Sequence, residues 1–201
     1  MGVIEAIQKG DGEALGRELA SNPAAANART ENGVPAVLMA MYYRQPEMAR
    51  RLLDAGAAVD LHIAATMGLA EAAASILESD PGALGAKSAD GWTALHLAAF
   101  FGQPAMVRTL LSRGADALAR SENQMANLAL HAAAAARQTE IVELLLDAGT
   151  PVDARQHGGF TAAHSAAQGK DLATLEVLRA RGADMNAQSD DGKTPAGLLE
   201  A

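Results

Sequence analysis

Residues 91–116 read GWTALHLAAFFGQPAMVRTLLSRGAD, and residues 159–184 read GFTAAHSAAQGKDLATLEVLRARGAD. Both stretches open on glycine, an aromatic residue and threonine, pass through a histidine and an alanine-rich run, and close on Gly-Ala-Asp. The same beat runs through most of the chain. His62, His96, His131 and His164 are separated by 34, 35 and 33 positions. Gly114, Gly149 and Gly182 each follow their histidine by 18 positions, and Gly56 follows Leu38 by the same interval, so Leu38 holds the histidine place of an earlier unit. Ile4 stands 34 positions before Leu38 and opens the first unit. A fixed period of this size marks a stack of repeated supersecondary units.

Each unit reads as two short helices. The first is small and alanine-rich, as in Leu95–Phe101, and ends at a break such as Gly10, Gly68 or Gly102. The second carries apolar residues at helical spacing, Val107, Leu110 and Leu111 in one unit and Val142, Leu145 and Leu146 in the next. It stops at Gly56, Gly114, Gly149 or Gly182, where glycine enters the left-handed region without a Cβ penalty. One hairpin of this kind cannot bury its apolar face alone, so neighbours must stack, and the end unit needs a polar outer face. Glu13, Arg17 and Glu18 supply one in the first unit.

These residues resemble the ankyrin repeat family, whose pattern is a G-x-T-P-L-H start and a Gly-Ala-Asp end. The resemblance implies an all-α solenoid of stacked helix-turn-helix units with short β-hairpin fingers. It implies one domain over 1–201, with units at about 1–31, 32–57, 58–88, 89–122, 123–155 and 156–188 and a partial unit at 189–201. It also implies a local threonine–histidine hydrogen-bond network. Thr93 with His96 and Thr161 with His164 keep that pair, whereas Leu128 replaces the threonine before His131, and Pro35 and Leu38 replace both. Those positions are expected to be less rigid. Only six positions separate Gly56 from His62, against 17 between Gly114 and His131. One finger is therefore expected to be nearly absent, leaving a notch, and the segment SENQMANLALH at 121–131 to carry about two extra residues.

Composition bounds the function. The chain has 201 residues, a net charge of −8, a pI near 5.0 and no cysteine. Without a basic run it is a poor nucleic-acid binder and a poor match for an anionic membrane surface. Its beginning lacks the pattern of a secretory leader, and no apolar run approaches the roughly 20 residues of a membrane span, so a cytoplasmic protein is expected. Histidines in successive units stand about 8–10 Å apart, too far to share a zinc ion whose bonds to nitrogen are about 2.0–2.1 Å. No GxGxxG, P-loop or nucleophile elbow occurs. No metal, no cofactor and no catalysis are expected.

The aromatic residues point to binding. The chain has six: Tyr42, Tyr43, Trp92, Phe100, Phe101 and Phe160. Tyr42, Tyr43, Phe100 and Phe101 lie four and five positions after their markers, and Trp92 and Phe160 lie four before theirs. The family resemblance makes these the variable positions of the concave face and finger tips, where partners bind. Thr66 and Met67 hold the same places in unit three. Half-exposed, the five N-terminal rings would form a patch on the order of 400–600 Å². Finger residues such as Glu31, Asn32, Asp90, Glu122, Asn123 and His157 would form its polar rim. The expected partner is another protein, with a basic surface favoured by the overall acidity. The alternative is a weak structural homo-oligomer that pairs two copies through the same patch.

Overall fold

A computed structural model describes residues Met1–Glu200. It contains thirteen α-helices among the described residues, arranged as pairs. The first helices of the units are α1 (Val3–Lys9), α3 (Ala36–Tyr42), α5 (Leu61–Met67), α7 (Ala94–Phe100), α9 (Ala129–Ala135) and α11 (Ala162–Gln168). Their partners are α2 (Gly12–Ser21), α4 (Pro46–Asp54), α6 (Ala70–Ser79), α8 (Pro104–Ser112), α10 (Thr139–Asp147) and α12 (Leu172–Ala180), and α13 (Pro195–Glu200) closes the row against α11. The first helices pack side by side along the row because small residues face one another: Ala64, Ala98, Ala133 and Ala166 are fully buried. In the second helices Leu52, Leu110, Leu145 and Leu178 fill the core, whereas Leu111 and Leu146 are only partly buried against it.

The beat histidines fasten each unit to the next. The Nε2–H of His62, His96, His131 and His164 donates to the carbonyls of Ala86, Asn127, Ala154 and Lys193 at 3.1, 3.0, 2.9 and 3.1 Å. A carbonyl only accepts, so the neutral ring carries its proton on Nε2 and leaves Nδ1 as acceptor. Nδ1 meets the Thr93 hydroxyl at 2.7 Å in one unit and the Thr161 hydroxyl at 2.9 Å in another. Where Leu128 replaces threonine, its backbone N–H donates to His131 Nδ1 at 3.2 Å instead. Burial holds the His96 and His131 imidazoles neutral down to about 4, against an ordinary value of 6.5.

One residue in the turn after each first helix takes positive φ. It is Gly10, Gly68 or Gly102 in three units and Arg44, Arg137 or Lys170 in the other three. The choice follows from the next unit. Gln45 donates through Nε2 to the Ile7 carbonyl at 3.0 Å, and Gln103 to the Thr66 carbonyl at 3.2 Å. These amides lie over the preceding turn: a Cβ at Gly68 would stand 2.5 Å from Gln103 Oε1, and one at Gly102 2.7 Å from Gln138 Oε1. Leu69 and Asp171 replace the glutamine in units three and six. The turns before them, at Arg44 and Arg137, are then open to a side chain.

The finger row is continuous from unit four onward. Glu122 N–H donates to Gly91 O at 2.8 Å, His157 N–H to Met125 O at 2.9 Å and Asp190 N–H to Gly158 O at 2.9 Å. The finger closed by Ser121 N–H to Asn127 O is two residues longer than its neighbours, which close from Ser88 to Trp92 and from Gln156 to Phe160. Unit three has no finger of its own, so the hairpin at Arg29–Pro35 abuts the next one directly, with Gly33 against Ala89. The hydrophobic core divides at the same place. One cluster runs from Val3 to Ala57 and includes Ile63; the other runs from Leu61 to Ala183, and Val59 touches both.

The chain explains this break by its own symmetry. Every element from α1 to α4 recurs 58 positions later as α5 to α8, including the 3₁₀ turns Pro23–Asn27 and Pro81–Gly85. SNPAAANA at 21–28 corresponds to SDPGALGA at 79–86, and YYRQPEM at 42–48 to FFGQPAM at 100–106. Unit three is the counterpart of unit one in this correspondence.

Gly68→Ala should cost the left-handed strain, about 1–2 kcal/mol, and a further ~1 kcal/mol by pushing the Gln103 amide off the Thr66 carbonyl. Gly114→Ala should cost only the strain, because nothing lies within 4 Å of its Cβ. Equal losses in urea unfolding, or no relief of Gly68→Ala by Gln103→Ala, would refute the clamp. The histidine contribution should be full above pH 6.5 and fade as pH falls toward 4, because the unfolded chain takes up protons first. Each ring accounts for up to about 3 kcal/mol. The urea midpoint should therefore fall from pH 7 to pH 5, and His131→Gln should flatten the curve; an unchanged slope in that variant would sink the assignment.

Candidate functional site

The helices α3 and α7 both end in two aromatic residues, the last helical residue and the cap. Their rings meet across unit three. Tyr42 packs on Phe101 at 5.4 Å between centroids, Phe101 on Phe100 at 5.2 Å, and Phe100 on Trp92 at 5.3 Å. Trp92 reaches back from its finger to the His96 ring at 5.9 Å. Edge-on and tilted rings at these separations are mutually attractive, because a positive ring edge faces a negative ring face. The Tyr42 hydroxyl donates to the Asp90 carboxylate, whose second oxygen accepts from Ser88. Burial, reinforced by Asp90, pushes the Tyr42 phenol well above its ordinary range.

The sequence-based site residues fall into three groups. Tyr42, Trp92, Phe100 and Phe101 form the continuous run, with Tyr43 at its exposed end. Only Tyr43, at 48%, is more than about a third exposed, so the patch is smaller than five half-exposed rings would make it. Asp90 is committed to Tyr42 and Ser88, and its backbone carbonyl to Asn123. Met67 is partly buried against the N-terminal cluster. Phe160 lies apart, against His164 at 5.1 Å, and His157 is exposed on its own finger.

Thr66 requires a correction. It is fully buried, so it has no surface to offer a partner. The Gln103 amide covers its carbonyl, and the contact between Tyr42 and Phe101 closes over the end of its helix.

The run of rings forms one wall of a groove. Unit five presents Ala132, Ala135 and Ala136 beside the bulky Phe100 and Phe101, and the step in size opens space between them. One part holds about 1000 Å³ between Met41, Tyr42, Phe101 and Arg137; the adjoining part holds about 400 Å³ between Trp92, Phe100, Met125 and Gln168. Phe100, Ala135 and Gly169 line both. Met125, 48% exposed at the tip of the long finger, is a groove residue that counting from the histidines misses. The two-residue excess between Gly114 and His131 was its signal. Arg44 and Arg137 were missed as well, since a polar residue at a helix break reads as solvated.

The notch is an open cleft of about 410 Å³. Leu38, Leu61, Ile76 and Ala83 line its floor, and Arg29, Asp60, Asp80 and Lys87 stand around it. His62 beside it is tied to the Ala86 carbonyl. Among the described residues, no three of His, Asp and Glu come together in a way that would hold a metal ion, and no helix is long and apolar enough to cross a membrane.

Comparison with known proteins gives the same architecture. The profile for ankyrin repeats in three copies matches residues 117–189, and that for a single ankyrin repeat matches residues 90–122. Neurogenic locus notch homolog protein 1 of Mus musculus is 38% identical over 105 residues, which is 52% of this chain and 4% of that protein. B-cell lymphoma 3 protein of Homo sapiens is 33% identical over 108 residues, 51% of this chain and 23% of that protein. A Caenorhabditis elegans homolog of transient receptor potential cation channel subfamily A member 1 is 31% identical over 139 residues, 69% of this chain and 11% of that protein. The chain thus spans a small part of each of these relatives. With the period, the paired helices, the histidine staples and the profile matches in agreement, the chain belongs to the ankyrin-repeat family.

Proposed function

We propose that the chain is a non-catalytic protein-binding module that seats a partner in the concave groove between the aromatic residues of units two and four and the alanines of unit five. Ankyrin repeats generally mediate protein–protein interaction. The observation that carries the reading for this chain is the groove itself: aromatic residues on one wall, alanines on the other, and Tyr43 and Met125 exposed at its margins. Rings held by their neighbours lose little freedom on binding, and aromatic side chains dominate interface energetics. Glu31, Glu122, Asp190 and Asp191 edge the finger side, and basic side chains on a partner would meet them there.

Tyr43→Ala with Met125→Ala should weaken a partner captured from the source cell by about ten-fold or more, read by calorimetric titration, while leaving the helical circular dichroism and melting temperature unchanged. Both side chains are about half exposed, so the fold does not depend on them. Undiminished affinity would refute the site. A second copy is the other occupant the patch admits; light scattering that shows a dimer in the wild type and a monomer in the variant would assign the groove to self-association.

A further inference from the structure

The chain carries 24 acidic residues against 16 Lys and Arg, yet none of those carboxylates lines either part of the groove. The charged side chains that do are Arg44 and Arg137, at opposite ends. Both are exposed, and among the described residues neither makes an ion pair. Arg137 is laid across to unit six, with its Nε 3.5 Å from the Cβ position of Gly169. Lys170, the residue after Gly169, holds the equivalent turn in unit six and is exposed as well.

These cations sit where a side chain is unfavourable. Arg44, Arg137 and Lys170 have φ of 57, 61 and 52°, and glycine holds the same turn in the other three units. Retaining long cationic side chains there costs backbone energy that glycine would avoid. They stand at the far end of the first helices from the fingers, about 10 Å away along seven residues of helix. The groove therefore has a basic edge at the turns, opposite the acidic finger edge.

Resting on the protein-binding reading above, we infer that the occupant is an acidic, extended polypeptide segment with an apolar anchor. Its anchor sits against Phe100 and Phe101, and its carboxylates reach Arg44 at one end and Arg137 with Lys170 at the other. Three unit spacings of about 8–10 Å separate Arg44 from Arg137, so the segment spans about 25–30 Å, or roughly eight residues of extended chain. Charge complementarity sets its direction and register, and the aromatic wall supplies its anchor. RNA is a worse fit, because the chain has no basic run to neutralise a row of phosphates.

The test is selection from a displayed library of random peptides about twelve residues long, followed by anisotropy titration of the selected peptides. Selected sequences should place Asp or Glu on both sides of an apolar residue. They should bind Arg44→Gly/Arg137→Gly about ten-fold more weakly, with the difference shrinking at high salt. The variant's melting temperature should equal or exceed the wild type's, because glycine is the unstrained residue at both turns. Selected peptides that lack carboxylates, or that bind this variant undiminished but lose affinity for Tyr43→Ala, would overturn the acidic segment and leave the groove as the interface. Peptides indifferent to both variants, or no binders at all, would overturn both readings.

Discussion

Each helix pair closes through a single residue with positive φ, and the rest of the architecture is arranged around that turn. It reverses the chain within one residue, which brings the second helix back behind the first. A bare turn leaves room for the next unit's glutamine, which ties itself to a carbonyl at the end of the previous helix. A turn that carries a side chain forgoes that tie and projects a cation instead. One steric rule therefore decides, unit by unit, whether the turn serves the stack or faces outward.

The histidines do the corresponding work at the other end of the first helix. In His96, His131 and His164 both ring nitrogens are committed, one to the next finger and one to the segment before the helix. Burial keeps the His96 and His131 rings neutral, which their Nε2–H donor and Nδ1 acceptor pattern requires. At His131 the backbone N–H of Leu128 takes the place of the threonine hydroxyl, so the loss of threonine removes one hydrogen bond without freeing the ring.

Much of the fold was legible in the residues. The histidine-to-glycine interval fixed where helices end, and the short span from Gly56 to His62 announced the missing finger. The site was less legible because equal counting from a marker assumes equal units. Thr66 holds the place of Ala135 and Gln168, which are exposed, but its carbonyl is taken by the Gln103 amide and the flanking Tyr42 and Phe101 rings meet across its unit. Tyr42 and Phe101 are far apart in sequence and meet only because unit three is low between them. Exposure was overestimated for the same reason, since rings that stack on one another hide much of their area. Met125 falls out of register by the length of an insertion, and no count from His131 places it beside Trp92.

The division of the core between Ala57 and Leu61 bears on cooperativity. In a row where units touch only their neighbours, folding propagates through each junction, and a thin junction separates blocks that melt on their own terms. Here the seam is bridged by Val59 and Ile63 within the core and by Tyr42 with Phe101 and Asp90 above it. The groove lies across that upper bridge. A ligand seated there would hold units one and two to the remainder, and its affinity would include the free energy of keeping two halves of one solenoid in register.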